Sequence, residues 1–162
     1  MSRKILHGAL LAGAGLALAA TVRADAPAEQ YLPFTRADKN IVDQKTTLEW
    51  ERGDPNVAWS TYPTLGGGGG AIVHCTSIGK RVPTLKELLT LVDENPTKEY
   101  ESGKEIAKFI DTSAFPKTPT TGKFFTSTTD PNDPAKVYCV DFGTGEATIC
   151  LAAQPAYVRC VK

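Results

Sequence analysis

The stretch Arg81-Val82-Pro83-Thr84-Leu85-Lys86-Glu87-Leu88-Leu89 decides the fold, because it contains the strongest helix start in the sequence. The Thr84 hydroxyl can accept from an amide of the first turn, and Glu87 can accept from the Thr84 amide in return. The two residues therefore predict a capping box. An apolar stripe at helical spacing follows, and it consists of Leu85, Leu88, Leu89 and Val92. We expect a helix that packs against the core and ends at Asn95-Pro96. Its polar face carries no residue that suggests catalysis or ligand binding.

The first 24 residues predict a cleaved secretory signal. Arg3 and Lys4 give a basic start, residues 5–22 are mostly apolar, and Val22-Arg23-Ala24 places cleavage after Ala24. The length of the run leaves an uncleaved membrane anchor open, but its glycine and alanine content favours a signal. We therefore expect a periplasmic, cell-surface or secreted protein without a stable membrane span after cleavage.

The predicted mature chain, residues 25–162, has the length of one domain with a single core. The whole chain has 18 basic and 18 acidic residues, and the signal removes Arg3, Lys4 and Arg23 but no acid. The mature chain is therefore mildly acidic, and it has no basic block. This charge balance argues against a nucleic-acid partner.

All four cysteines, Cys75, Cys139, Cys150 and Cys160, lie in the predicted mature chain. An even number of cysteines in an exported chain indicates disulfides. A zinc site is the alternative, but no pair has the short Cys-x-x-Cys spacing and His74 is the one histidine after residue 24. His74 beside Cys75 also suggests a nucleophile pair, which an oxidised Cys75 would exclude.

The C-terminal hairpin predicts which cysteines pair. With Thr144-Gly145 as a two-residue turn, Cys139 lies directly opposite Cys150, within disulfide range. Cys75 then pairs with Cys160 by elimination. In the loop-entropy treatment the short loop contributes about 3 kcal/mol and the long one about 4 to 5 kcal/mol.

The remaining segments carry weaker signals. Residues 41–51 predict a strand hairpin with Trp50 in the core, and residues 124–128 predict a strand. Gly66–Gly70 predicts a flexible loop. Residues 71–78 predict a short helix with Ile72, Cys75 and Ile78 inward, and residues 97–108 are expected to be partly helical.

Several segments of this sequence resemble the conserved motifs of one bacterial family, and they occur in the same order along the chain. They are Thr46-Thr47-Leu48-Glu49-Trp50-Glu51-Arg52, Lys80 to Leu89, Ile110-Asp111, Phe115-Pro116, Phe125-Thr126-Ser127-Thr128, Val140 to Gly145, and Tyr157 to Lys162. The family is the Lcl C-terminal-like domain. Thr47, Lys80 and Val82 depart from its usual glycine, tryptophan and leucine.

The resemblance implies a fold like that of C-type lectins and of formylglycine-generating enzymes. It would be a compact α+β domain with two helices, twisted antiparallel strands and two nested disulfides. The best-known relative in the family is the end domain of a collagen-like adhesin that binds sulfated polysaccharide. This chain has no collagen repeat and is mildly acidic, so that ligand is not expected here.

We expect a non-catalytic binding or surface-interaction module of the bacterial envelope, with an unknown protein or glycan as partner. The candidate surface is residues 128–134 together with Gly66–Gly70. Asp130, Asn132 and Asp133 are weak calcium candidates, and a solvated turn with Asx caps is their alternative. No other cofactor is expected. The alternatives to a binding module are an enzyme of the formylglycine-generating-like fold and a structural envelope subunit.

Overall fold

The computed structural model describes residues 30–31, 38–53 and 60–162. Its elements are β1 (Asn40–Val42), β2 (Glu49–Glu51), α1 (Ala71–Ser77), α2 (Leu85–Leu89), β3 (Thr97–Glu101), β4 (Lys104–Lys108), β5 (Lys123–Asp130), β6 (Asp133–Asp141) and β7 (Glu146–Leu151). The strands form antiparallel sheets in the order β1-β2, β3-β4 and β5-β6-β7. The fold class is α+β, as the sequence predicts. The predicted signal and its cleavage site lie outside the described residues.

The sheet β5-β6-β7 separates two clusters of buried side chains. Neighbouring residues of a strand point to opposite faces, so Phe124 joins one cluster and Phe125 the other. The same alternation in β6 sends Val140 to the first cluster and Cys139 to the second. The first cluster also contains Trp50, which has no exposed surface.

The C-terminal segment, residues 156–162, connects several elements through the backbone. The Glu51 amide donates to the Cys160 carbonyl at 2.8 Å. Arg81 and Val161 exchange two backbone hydrogen bonds, each of 2.9 Å. The segment therefore holds β2 next to the residues that precede α2.

Arg159 is the completely buried cation of this segment. Its Nη1 donates to the carbonyl oxygens of Glu51 at 2.7 Å and Arg52 at 3.2 Å, and its Nη2 donates to Thr118 Oγ1 at 2.7 Å. The guanidinium lies 4.5 Å from the centre of the Phe115 ring. Burial lowers the pKa of the guanidinium to about 9, although the charge of Glu51 opposes the shift, so Arg159 is charged at neutral pH.

The structure contains two disulfides, and they join the pairs that the sequence argument gives. Cys75 is bonded to Cys160 across 85 residues, with Cα atoms 5.4 Å apart. Cys139 is bonded to Cys150 across 11 residues, with Cα atoms 6.0 Å apart. The long bond attaches α1 to the C-terminal segment, and the short one connects β6 and β7.

The register between β6 and β7 differs from the predicted one. The prediction places Cys139 directly opposite Cys150, whereas the structure pairs Val137 with Cys150 and Cys139 with Thr148. The difference is two residues, so every side chain stays on its expected face. The cysteines are therefore diagonal neighbours, which remain close enough to bond.

The turn of this hairpin explains the shift. Asp141 pairs with Glu146, so residues 142–145 form the connection, rather than Thr144-Gly145 alone. The Asp141 carboxylate accepts the Gly143 amide at 2.8 Å, and the Gly145 amide donates to the Asp141 carbonyl at 2.8 Å. This aspartate-initiated turn replaces the predicted two-residue turn.

Helix α2 begins at the predicted N-cap. Thr84 Oγ1 accepts from the Glu87 amide at 3.3 Å, and the Glu87 carboxylate accepts from the Thr84 amide at 2.8 Å. The predicted end at a proline is wrong, because α2 ends at Leu89. The next amides bond three residues back, as Leu91 does to the Leu88 carbonyl at 3.2 Å. With three residues per turn, Leu91 is buried in the core. Leu89, which was expected to face the core, is 37% exposed.

The segment expected to be partly helical forms the β3–β4 hairpin instead. Lys98 pairs with Ala107, and Tyr100 pairs with Glu105. Ser102 and Gly103 connect the strands with φ angles of 52° and 78°. Two successive residues with positive φ match the twist of antiparallel strands, so the Ser-Gly pair indicates a hairpin rather than a helix.

Helix α1 faces the core with Ala71 and Cys75, and neither is exposed. The predicted inward orientation of Ile72 and Ile78 is wrong, since their exposed fractions are 47% and 44%. The bond from Cys75 to Cys160 fixes the rotation of the helix. One turn before Cys75, the residue on the same face is Ala71.

The glycine run ahead of α1 has a defined conformation. Gly67 and Gly69 have φ angles of 83° and 76°, which side chains rarely adopt. The Gly70 amide donates to the Gly67 carbonyl at 3.1 Å. A Cβ atom on Gly70 would collide with the Gly66 carbonyl, so the turn requires glycine at this position.

Candidate functional site

Asp130, Asn132 and Asp133, the weak calcium candidates, lie where β5 turns into β6. The Asp130 carboxylate accepts the Asn132 amide at 2.9 Å, and the Asp133 carboxylate accepts the Ala135 amide at 3.0 Å. Lys136 lies 3.0 Å from the Asp133 carboxylate and lowers its pKa. These contacts are those of an Asx-capped turn. Calcium binding at the three residues stays a prediction.

The glycine run is connected to the same end of the large sheet. The Leu65 amide donates to the Ala152 carbonyl at 2.7 Å, and the Ala152 amide donates to the Ala135 carbonyl at 2.9 Å. The two parts of the surface expected from the sequence are therefore joined through residues next to β6 and β7.

The adjacent His74 and Cys75 do not form a nucleophile pair. Cys75 is bonded to Cys160, so it has no thiol. The His74 Nε2 atom lies 3.3 Å from Glu51 Oε1, and the ring stacks on Tyr62 with centres 4.7 Å apart.

A groove of about 490 Å³ opens between α1 and the start of α2. Three elements form it, and its lining residues are Ile72, Thr76, Arg81, Val82, Thr84, Glu87 and Ser127. Strand β5 is held against the start of α2 because the Ser127 amide donates to the Pro83 carbonyl at 2.7 Å. Ile72 and Val82 are the apolar members of the lining, and no lining residue is aromatic.

A fixed ion pair lines one side of the groove. Both terminal nitrogens of Arg81 donate to the Glu87 carboxylate, at 2.8 and 2.7 Å. The same carboxylate accepts from the Thr84 amide and hydroxyl. The hydrogen bonds from Arg81, followed by those from Thr84, lower the pKa of Glu87 to about 2. Arg81 is thus paired within the site, and the helix cap and the groove share the carboxylate.

The Glu87 pKa predicts a pH effect on stability. A carboxylate whose pKa is about 2 in the folded chain and 4.5 otherwise stabilises the fold above about pH 4.5. That contribution is lost as the pH falls toward 2. We expect Glu87→Gln to lower the melting temperature by up to about 4 °C near neutral pH, and the difference from the unaltered chain to close at low pH.

Thermal melting followed by circular dichroism between about pH 7 and 2 checks this prediction. Glu94→Gln, at an exposed glutamate, is the control. A difference between Glu87→Gln and the unaltered chain that stays constant over the whole pH range would contradict it.

Exposed aliphatic side chains continue from the groove along α1. Ile72, Val73 and Ile78 are 47%, 48% and 44% exposed. Large aliphatic groups that are half exposed next to an apolar recess are typical of interaction surfaces. We call the groove and these three residues the α1 surface.

The sequence argument missed the α1 surface because it placed Ile72 and Ile78 in the core. One signal was available. A disulfide at Cys75 fixes which face of a short helix is buried, and Ala71 lies on that face one turn earlier. Ile72 and Val73 then lie outside it.

Comparison with known families identifies the chain. The family model described as Lcl C-terminal domain matches residues 39–162. The chain belongs to the Lcl C-terminal domain family. No curated protein and no solved structure matches it. The match covers both helices and the strands described above.

The family and the disulfides agree with a surface or secreted domain. Disulfides are typical of oxidising compartments such as the periplasm and the cell exterior. Among the residues that the structure describes, no helix has the length and apolar character needed to cross a membrane.

Proposed function

We propose that this Lcl C-terminal domain is an exported, non-catalytic binding module of the bacterial envelope, and that the α1 surface binds a protein partner. The observation that carries the proposal is a recess whose apolar lining residues are Ile72 and Val82, together with two further half-exposed aliphatic side chains, Val73 and Ile78. Such a surface buries apolar area on association. It supports a partner that inserts an apolar side chain between α1 and α2.

The lining favours a protein over a glycan. A sugar presents mostly hydroxyl groups, which need polar partners, and its apolar faces commonly lie on aromatic rings. The lining residues include no aromatic side chain. Its charged members, Arg81 and Glu87, are already paired with each other. Ile72 and Val82 are instead suited to an aliphatic or aromatic side chain.

The side chains of the groove also favour binding over catalysis. All four cysteines of the chain are in disulfides, so no thiol nucleophile exists in this state. The lining contains no histidine, and its carboxylate is held by Arg81 and the helix cap. General acid–base catalysis requires a group whose pKa lies near the working pH, and the pKa of Glu87 is far below it.

A phage-displayed library of linear peptides tests the proposal. Peptides are selected on the unaltered chain, after counter-selection only on the support without protein. We expect the survivors to share an aliphatic or aromatic residue and to lose at least about tenfold in affinity for Ile72→Glu. Val42→Glu is the matched control, because Val42 is 42% exposed on β1 and does not line the groove. Survivors that bind Ile72→Glu as well as the unaltered chain would refute the proposed surface.

A second measurement separates a protein partner from a calcium-dependent sugar. Thermal melts are recorded with calcium and with a panel of glycans, since a ligand of the folded state raises the melting temperature. We expect no rise. A calcium-dependent rise that Asp130→Ala and Asp133→Ala abolish would replace the proposal with a lectin-like function at the β5–β6 turn.

A further inference from the structure

A second cluster of side chains lies around the long disulfide. The ligand atoms of Glu51, His74 and Cys160 all lie within 4.8 Å of one another. The closest contact is 3.3 Å, between His74 Nε2 and Glu51 Oε1. Cys75 adds a further sulfur, since it is bonded to Cys160. The disulfide therefore lies beside one imidazole and one carboxylate, and its Cys160 sulfur is the one within 4.8 Å of both.

The oxidation state of the cysteines decides what this cluster can bind. In the disulfide each sulfur is bonded to the other and is a poor metal ligand. Cysteines are synthesised as thiols, and a thiol that loses its proton is a strong ligand for borderline-soft metals. Before the disulfide forms, the cluster presents a set of S, S, N and O donors.

We propose that Cys75, Cys160, His74 and Glu51 bind one Zn²⁺ ion in the dithiol form of the chain. Zinc binding and disulfide formation then compete for the same two sulfurs. On binding, each thiol releases one proton to solvent and each sulfur forms one bond to the metal. No electron is transferred, so the step needs no oxidant or reductant.

Three of the four proposed ligands have distances close to those of a tetrahedral site. Zinc bonds of about 2.0 to 2.3 Å place neighbouring ligand atoms about 3.3 to 3.8 Å apart. Glu51 and His74 already lie at 3.3 Å, and the Cys160 sulfur lies within 4.8 Å of a ligand atom of each. Once the sulfurs are no longer bonded to each other, a shift of about 1 Å brings the Cys160 sulfur into place. The Cys75 sulfur lies outside this group of three and reaches the metal by a larger movement of its side chain.

The surrounding structure positions the ligands. The Tyr62 ring stacks on His74 and orients it. The Cys160 amide donates to Glu51 Oε2 at 3.1 Å, and the Glu51 amide donates to the Cys160 carbonyl at 2.8 Å. Contacts of this kind raise metal affinity by holding the ligands in place. The His74 and Glu51 side chains are 26% and 19% exposed, so a metal ion can reach them from solvent.

The sequence argument considered zinc and set it aside for lack of a Cys-x-x-Cys pair. The fold supplies what the spacing lacks. Cys75 and Cys160 are 85 residues apart in sequence and have Cα atoms 5.4 Å apart. The second cysteine pair, Cys139–Cys150, has neither sulfur in the one group of metal-ligating side chains found among the described residues, whereas the first pair contributes Cys160, so the second pair offers an internal comparison.

Metal titration of the full chain tests the proposal. The chain is reduced with a phosphine under exclusion of air, and Zn²⁺ is titrated in competition with a chromophoric chelator. We expect one Zn²⁺ per reduced chain and at least about 100-fold weaker binding to the oxidised chain. Co²⁺ is expected to show thiolate-to-metal charge-transfer absorption in the reduced chain. Equal zinc affinity of the two oxidation states would overturn the proposal.

Variants identify the ligands. His74→Gln and Glu51→Gln are each expected to weaken Zn²⁺ binding at least about tenfold, whereas Cys139→Ser/Cys150→Ser keeps one ion per chain. Unchanged affinity in His74→Gln, or loss of zinc in Cys139→Ser/Cys150→Ser with retention in Cys75→Ser/Cys160→Ser, would refute the assignment.

A stability measurement covers the case in which the metal-free reduced chain unfolds. Zinc binding that requires the assembled site contributes to folding. We expect Zn²⁺ to raise the melting temperature of the reduced chain, or to restore its circular dichroism if it is unfolded. A reduced chain whose melting and spectrum do not respond to Zn²⁺ would also overturn the proposal.

Discussion

Arg159→Met is expected to lower the free energy of unfolding by about 3 to 5 kcal/mol. Methionine fills much of the same space but donates no hydrogen bond. The variant leaves three acceptors without their charged donor, namely the partly buried Glu51 carbonyl, the buried Arg52 carbonyl and the buried Thr118 Oγ1. It also removes the guanidinium that stacks 4.5 Å from the Phe115 ring centre. Urea unfolding with both disulfides intact measures the loss.

Arg81→Met is the matched control for this measurement. The Arg81 side chain is 51% exposed and pairs with Glu87 at the surface, so its loss is expected to cost about 1 kcal/mol or less. Arg159→Lys keeps the charge but offers one nitrogen in place of the planar fork, and it should also lose several kcal/mol. A cost for Arg159→Met as small as that of Arg81→Met would show that the buried cation is not needed for stability.

Arg159 is expected to be important for stability because both of its neighbours in the sequence anchor the C-terminal segment. It lies between Val158, which packs in one core cluster, and Cys160, which carries the long disulfide. Its guanidinium donates to the carbonyl of Glu51, the last residue of β2, and to the carbonyl of Arg52, which follows β2. The Arg159 side chain therefore connects parts of the fold that are far apart in sequence. Its hydrogen bond to the Glu51 carbonyl joins residues 108 positions apart.

Features fixed by adjacent residues could be predicted from the sequence. The capping box depends on Thr84 and Glu87 within one turn, and the structure contains both of its hydrogen bonds. The end of α2 could not be predicted in this way. It depends on tighter winding after Leu89, which buries Leu91 against other elements.

The α1 surface shows why tertiary constraints were needed. The sequence alone predicts that Ile72 lies in the core, because large aliphatic side chains are usually buried. The helix is instead oriented by Cys75, whose partner is 85 residues away. The sequence analysis predicted this bond but did not use it to orient the helix, so the candidate groove emerged only from the structure.

The C-terminal hairpin illustrates a partial success. The pairing of Cys139 with Cys150 was correct, although the register argument that led to it was wrong by two residues. A shift of an even number preserves the face of each side chain, and a disulfide tolerates a diagonal as well as a direct neighbour. The inference was therefore robust to an error in turn length but would not have survived a shift of one residue.

Removing the Cys75–Cys160 bond is expected to cost more than removing Cys139–Cys150. The long bond closes a loop of 85 residues and the short bond one of 11. The entropy of the unfolded chain then gives losses of about 4 to 5 kcal/mol and about 3 kcal/mol, respectively. The long bond also orients α1, so Cys75→Ser/Cys160→Ser should disturb the α1 surface in addition to lowering stability.

Urea unfolding of the two double variants, each with its remaining disulfide intact, measures both losses. Peptide binding at the α1 surface is recorded on the same samples under folding conditions. We expect the long-bond variant to show the lower unfolding midpoint and the weaker binding, while the short-bond variant binds as the unaltered chain does. If the short-bond variant loses more stability, chain entropy is not the dominant contribution. Local packing of Cys139 would then dominate, because this β6 residue is fully buried and pairs with Phe125 of β5.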